Sequence, residues 1–126
     1  MQKKFYRCKV CGNIVGLVNE GGGILSCCDQ PMGLLNANTT DGAVEKHVPV
    51  YELDGDKLCV TVGSVAHPMT TEHYIQWIMV NQAGKTQRVE LTPSDEPRAE
   101  FMIDGALPFV VYEYCNLHGL WKAENS

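Results

Sequence analysis

Cysteine and histidine carry most of the reactive character of this chain. Four of its six cysteines, Cys8, Cys11, Cys27 and Cys28, fall within the first 28 residues. Two residues between Cys8 and Cys11 let both sulfurs converge on one ion from a tight knuckle whose backbone N–H groups can hydrogen-bond them. The adjacent pair Cys27-Cys28 is unusual, because successive side chains of an extended chain point to opposite faces. It must bend to serve the same metal, which predicts a distorted tetrahedron. Zinc and iron fit this spacing equally. A thioredoxin-like redox pair is disfavoured, since Cys8-x-x-Cys11 opens no helix and lies in no βαβ unit.

The chain has four histidines, His47, His67, His73 and His118. Taken singly, each reads as a satisfied core or surface residue. As a set they differ. Cys115-Asn116-Leu117-His118 presents a thiolate and an imidazole from one turn, a metal-ligand spacing. His67 and His73 bracket the loop Pro68-Met69-Thr70-Thr71-Glu72, and His47 opens a strand expected to begin at Val48. All four therefore sit at strand ends or in loops and can gather at one end of a sandwich. Four imidazoles and the Cys115 thiolate would form a square pyramid with a sixth position open. Zinc generally takes four ligands, whereas iron accepts more and suits imidazole. The expected chemistry is one-electron redox at iron with a small ligand, the axial thiolate pushing electron density onto the metal. Glu45 and Lys46 precede His47. Alone they read as a solvated pair at a strand entrance; beside an open iron position, the ammonium can attract an anion and the carboxylate can occupy the open side between turnovers.

These residues need a scaffold that brings them together. The 126 residues and 13.9 kDa fit one domain with a small appendage, and 44% hydrophobic with 20% charged residues is a globular composition. No apolar run approaches the roughly 18 residues of a membrane-spanning helix. The N-terminus, Met1-Gln2-Lys3-Lys4-Phe5-Tyr6-Arg7-Cys8, has charge but no apolar core behind it and does not read as a signal peptide, so a cytoplasmic address is expected. A net charge of -5, with no basic stripe interleaved with aromatics, argues against nucleic acid as a partner. Cysteine stays below the roughly 8 to 10% of a disulfide scaffold, which leaves reduced thiols and metal ligation.

The first 36 residues read as a knuckle, a short hairpin and a second knuckle, with Asn13–Asn19 expected to pair with Ile24–Ser26 across Glu20-Gly21-Gly22-Gly23. So short a segment cannot bury a sufficient core and needs a metal or a partner chain. The small polar stretch Asn36-Ala37-Asn38-Thr39-Thr40-Asp41-Gly42 marks a linker, so domains are expected at 1–36 and 37–126. Beyond it, Val48–Leu53, Leu58–Val62, Tyr74–Val80, Thr86–Leu91, Glu100–Ile103 and Phe109–Tyr114 alternate with turn residues and show no helical periodicity. The expected fold is all-β, a small metal-binding domain followed by an immunoglobulin-like antiparallel β-sandwich. Cys59 lies in a strand outside these motifs and reads as a free structural thiol.

At this point the sequence strongly resembles the two-iron desulfoferrodoxins, which are superoxide reductases. The resemblance rests on Cys8-x-x-Cys11-Gly12-Asn13, Cys27-Cys28, Glu45-Lys46-His47-Val48-Pro49-Val50, Gly63-Ser64-Val65-Ala66-His67-Pro68-Met69, Glu72-His73-Tyr74-Ile75 and Cys115-Asn116-Leu117-His118-Gly119-Leu120-Trp121, and so runs from end to end. It implies a desulforedoxin-like N-terminal domain whose Cys8, Cys11, Cys27 and Cys28 hold Fe³⁺ in an FeS₄ centre. It implies a second, catalytic iron cycling between Fe²⁺ and Fe³⁺ on four equatorial histidines, His47, His67, His73 and His118, with Cys115 axial, in a seven-stranded sandwich. Lys46 would guide superoxide and hydrogen-bond the peroxide formed, and Glu45 would cap the oxidised iron. The implied reaction is reduction of superoxide to hydrogen peroxide without release of dioxygen, with rubredoxin or a similar small donor restoring the iron, in a homodimer. Other classes predict different features. A closed electron-transfer or metal-sensing module would bind no substrate, a zinc hydrolase would want a helical His-Glu-x-x-His, and a Rieske centre would want a second Cys/His pair.

Overall fold

Short runs of alternating apolar and polar residues, punctuated by glycine and asparagine, give an almost wholly β structure. The computed structural model describes residues 3–39, 42 and 44–125, and the chain divides into two compact units, Met1–Asn36 and Ala37–Ser126. Met1 and Gln2 of the N-terminal segment and Thr40 and Asp41 of the linker lie outside the described residues. Among the described residues no helix is long and apolar enough to cross a membrane.

In the first unit, β1 (Phe5–Arg7) is flanked by β2 (Ile14–Gly16) and β5 (Gly33–Leu34) in an antiparallel sheet, and β3 (Ser26–Cys27) pairs with β4 (Gln30–Pro31). The expected pairing of Asn13–Asn19 with Ile24–Ser26 does not form. Ile14 pairs instead with Arg7, and Gly16 lies opposite the Phe5 ring. The physical reason is local. Three successive glycines favour no single turn and bring no side chain to pack, whereas β1 offers the Phe5 ring and a register set by the Cys8–Asn13 knuckle. Among the described residues only Phe5 and Cys8 are buried apolar side chains here, while Val18 is 95% and Ile24 84% exposed. This unit has almost no core of its own.

The second unit builds two antiparallel sheets from β6 (Pro49–Asp54), β7 (Lys57–Val62), β8 (Ile75–Gln82), β9 (Lys85–Glu90), β10 (Arg98–Met102), β11 (Phe109–Cys115) and β12 (Gly119–Asn125). Their orders are β10-β7-β6 and β12-β11-β8-β9. Period-two burial in β7 turns Leu58, Val60 and Val62 inward, where they meet Ile75, Ile78, Val80, Phe109 and Val111 of the other sheet. The β8–β9 turn, Ala83-Gly84, has positive φ at both residues, as two-residue hairpins favour. Strand β12 is absent from the sequence reading. Lys122, Ala123 and Glu124 have little strand propensity, but all seven residues of β12 pair with β11, and that pairing overrides propensity. A further difference is α1 (Val44–His47), a single turn that places His47 at a helix end rather than at the opening of β6.

Two polar side chains on the inner strands stand out. Gln82 is fully engaged, its carbonyl accepting from Asp104 N–H and its amide donating to the Asp104 and Leu107 carbonyls. Glu113 is not. It alternates with Val111 and Cys115 on the core face of β11, is 0% exposed, and neither carboxylate oxygen has a partner. Burial pushes its pKa well above the ordinary carboxylate value. The folded chain thus holds a proton that the unfolded chain releases, so stability falls as pH rises from the ordinary value toward the raised one. Glu113→Gln is expected to flatten that fall and to raise the thermal midpoint at neutral pH, measured by unfolding from about pH 5 to about pH 8; parallel curves for both proteins would contradict it.

Candidate metal centres

The first centre is assembled by two turns. The β1–β2 connection folds into a knuckle, with Cys8 N–H donating to Asn13 O, Gly12 N–H donating to Cys8 O, and Gly12 at φ 83°. Backbone N–H groups of Cys11, and more weakly Val10, face the Cys8 sulfur and pull its thiol down to about 6. The β3–β4 hairpin turns through Cys28 and Asp29, with φ 53° and 60°. Two successive left-handed residues make a turn of the type I′ kind. That turn swings the Cys28 side chain to the side of Cys27, and so supplies the bend that an extended chain lacks. The Cys11 and Cys27 sulfurs are 3.6 Å apart and those of Cys27 and Cys28 3.9 Å. A regular tetrahedron with metal–sulfur bonds of about 2.3 Å has edges of about 3.8 Å. These two edges lie on either side of that value, and the left-handed turn at Cys28-Asp29 supplies the bend that brings both sulfurs to one cluster. Neighbouring sulfurs, Cys27 first, push the Cys28 thiol up to about 12.

The second centre lies at one end of the sandwich. His47 ends α1, His67 and His73 come from the β7–β8 connection, Cys115 ends β11 at a register shift against β8, and His118 lies in the β11–β12 turn. The four imidazoles form a ring. Going round it, centroids of His47–His67, His67–His73, His73–His118 and His118–His47 are 4.6, 4.7, 5.0 and 4.7 Å apart, each pair steeply inclined. Across it, His47 and His73 are 6.2 Å apart and nearly parallel. This is a square. His47 Nε2 and His67 Nε2 face each other at 3.1 Å, close to the roughly 3.0 Å separating two nitrogens held at right angles on bonds of about 2.1 Å. The donor atoms of His47, His67, His73 and Cys115 all lie within 4.8 Å of one another, and His118 Nδ1 is 3.8 Å from Cys115 Sγ.

Electrostatics favours a cation here. His73 Nε2 is buried without a hydrogen-bond partner. His67 donates from Nδ1–H to the Pro68 carbonyl at 2.7 Å, which leaves the Nε2 lone pair facing the cluster. Burial pushes His67 down to about 4, and lowers His73 together with the charges of His118, His47 and Lys46. Burial also raises the Cys115 thiol, against the pull of Leu117 and His118 backbone N–H groups. The His67 and His73 imidazoles are therefore held toward the neutral form, and a cation would draw the proton from the thiol. Five donors of four nitrogens and one sulfur fit iron better than zinc, and the Cys₄ set fits either.

Glu45 and Lys46 are exposed on α1. The Lys46 charge is felt at His73, while the Glu45 carboxylate makes no hydrogen bond or ion pair among the described residues. Cys59 lies apart, half-buried, with Sγ 3.9 Å from Glu100 Oε1. Sequence reasoning missed two supports. Trp121 stacks on His47 at 5.0 Å and donates from Nε1–H to the His118 carbonyl. Gly63, at φ 80°, allows the Glu45 and Lys46 carbonyls to approach so closely that a Cβ would lie 2.7 and 2.6 Å from them. Val65 N–H and Ser64 Oγ also donate to Glu45 O.

Fold and donor sets together define a small non-haem metalloprotein with a four-sulfur centre and, on a separate β-sandwich, a four-imidazole, one-thiolate centre. Family models described as desulfoferrodoxin and desulfoferrodoxin N-terminal domain match residues 39–124 and 1–35. Desulfoferrodoxin from Syntrophotalea carbinolica is 55% identical, covering 94% of each chain, and that from Nitratidesulfovibrio vulgaris is 52% identical over 98% of this chain and 97% of its own. The crystal structure of superoxide reductase from Treponema pallidum superposes with a TM-score of 0.77 at 33% identity, over 98% of this chain and 99% of that one. The chain belongs to the desulfoferrodoxin family.

Gly63→Ala tests the close approach. The added Cβ must push the 45–46 carbonyls away, so the variant is expected to lose about 1 to 3 kcal/mol in denaturant unfolding; unchanged stability would show that the approach is not tight.

Proposed function

We infer that this chain is a superoxide reductase, taking superoxide, one electron and two protons to hydrogen peroxide without releasing dioxygen. The observation that carries this reading is the square of four imidazoles with a cysteine sulfur beside it. Iron, when bound by His47, His67, His73, His118 and Cys115, supplies the electron and a position for a small anion. The protein residues do the rest. His67 is held in one tautomer by Pro68. Burial favours the neutral form of His67 and His73, and leaves the Cys115 sulfur as the donor whose negative charge compensates the metal. The Lys46 ammonium draws superoxide toward the His73 side and donates hydrogen bonds to it, while Glu45 covers the open side in the oxidised protein. A net charge of -5 opposes an incoming anion, but screening limits that field to about 8 Å at physiological salt, so a local cation dominates at the mouth.

Cys8, Cys11, Cys27 and Cys28 hold the second iron. A rubredoxin or another small redox protein restores the ferrous state, and the protein works in the cytoplasm as a homodimer. The dimer reading rests on Val18 and Ile24, large apolar side chains left exposed on a unit with two buried apolar side chains among its described residues. Removing metal from the first centre with a chelator is expected to unfold Met1–Asn36 while the sandwich keeps its cooperative thermal transition; persistence of the N-terminal amide protection after metal loss would contradict this.

Lys46→Ala is expected to slow oxidation of the ferrous protein by superoxide roughly tenfold and to flatten its salt dependence. An unchanged rate and slope would remove Lys46 from the mechanism. Azide or cyanide should alter the visible spectrum of the histidine centre, and silence toward both would favour a closed electron-transfer module.

A further inference from the structure

Two of the four imidazoles have a partner at the ring itself, and a third is tied through its backbone carbonyl to the indole that stacks on one of them. His67 is fixed through Nδ1 by the Pro68 carbonyl, His47 is stacked on Trp121, and the His118 backbone carbonyl accepts from the same indole. His73 differs. No described residue hydrogen-bonds its ring, and its Nε2 is buried without a partner. Its aim is therefore set by its backbone.

That backbone is gripped by one side chain. The Asn116 carboxamide accepts from Tyr74 N–H at 2.9 Å and donates to the Glu72 carbonyl at 3.0 Å. Those two groups belong to the peptide planes on either side of His73. Rotation about φ of His73 turns the first plane and rotation about ψ turns the second, so a group that holds both fixes both angles. Asn116 N–H also donates to Tyr74 O at 3.2 Å. On the other side the turn is closed by Thr70, whose N–H donates to His73 O and whose hydroxyl and carbonyl accept from His73 N–H. Asn116 follows Cys115 directly and precedes His118 by two residues. The thiolate, one imidazole and the clamp on a second imidazole thus share a single five-residue β-turn segment, Cys115–Gly119.

We propose that Asn116 is a positioning residue that sets the direction of His73 relative to Cys115 and His118, so that fourth imidazole and axial sulfur are delivered as one rigid unit. The inference rests on the reading of this site as a His₄Cys iron centre. Asparagine is required because the grip needs one acceptor and one donor on a planar, short side chain. Aspartate keeps the acceptor for Tyr74 N–H but turns an oxygen toward the Glu72 carbonyl. Alanine loses both contacts.

The test uses the full-length, iron-loaded protein and the variants Asn116→Asp and Asn116→Ala. Both are expected to shift the ferric electron paramagnetic resonance signal and the thiolate-to-iron absorption band, the alanine variant more, and to speed iron release from the histidine centre to a chelator roughly tenfold. The Cys₄ absorption should stay unchanged, and the cooperative thermal transition of the sandwich should persist, which a general loss of its fold would not allow. Wild-type spectra and release rate in Asn116→Ala would overturn the proposal. Where the alanine variant does not fold, wild-type spectra in Asn116→Asp overturn it, as does unprotected exchange of the Tyr74 amide in the unsubstituted protein. A wild-type protein without a thiolate-to-iron band would instead refute the iron reading itself.

Discussion

Electron-pair donors that face one another in a small space resist burial unless something positive lies among them. At the sandwich centre, three imidazole nitrogens and a sulfur lie within 4.8 Å of one another, with a fourth imidazole beside the sulfur. Burial acts on both kinds of group in the direction of neutrality, holding His67 deprotonated and Cys115 protonated. In that state no hydrogen bond inside the cluster can satisfy every donor atom, and His73 Nε2 is left alone. A metal cation reverses the balance, since it binds the lone pairs that burial exposes and makes the thiolate the stable form. The rest of the second unit is arranged to hold this cluster in place.

It does so by dividing labour between strands and connections. The β7, β8 and β11 strands carry the apolar contacts and define one end of the sandwich rigidly, while the ligands ride on α1, the β7–β8 connection and the β11–β12 turn. Flexible connections would place ligands poorly, and the structure counters this with specific ties. Gly63 lets the α1 carbonyls nest against the β7 exit, Trp121 spans His47 and His118, and Asn116 joins the turns that carry His73 and Cys115. The shift of register at Tyr114/Cys115 has the same character, because such an irregularity re-aims a side chain at the end of a strand.

The two centres illustrate opposite relations between metal and fold. In the second unit a cohesive core exists without the metal, and the fold prepares the site. In the first, Phe5 and Cys8 are the only buried apolar side chains among the described residues, a core too small to hold the unit without a metal or a partner chain. The Cys28 thiol, pushed up to about 12 by its neighbouring sulfurs with Cys27 first, shows the effect of crowding them, whereas Cys8 is pulled down to about 6 chiefly by the Cys11 backbone N–H.

The identity of the donors was legible in the sequence, because it depends on residue type and short spacing. Cys8-x-x-Cys11, Cys115-x-x-His118 and the scarcity of histidine already pointed to two metal sites, and alternating apolar residues marked six of the seven sandwich strands. What went astray locally depended on partners far along the chain or on unusual turn chemistry. Cys28-Asp29 is not a recognisable type I′ sequence, so the bend of the cysteine pair was invisible; β12 is a strand because β11 pairs with it, not because of its residues. The roles of Gly63, Asn116 and Trp121 were hidden for a different reason. Asn116 reaches groups 42 and 44 positions away, and no periodicity encodes a contact across that distance. Sequence set which atoms could bind a metal, since chemistry is a property of the side chain. Tertiary structure alone decided that four imidazoles form a square around one axis, since direction in space is fixed only when separate turns are locked against each other.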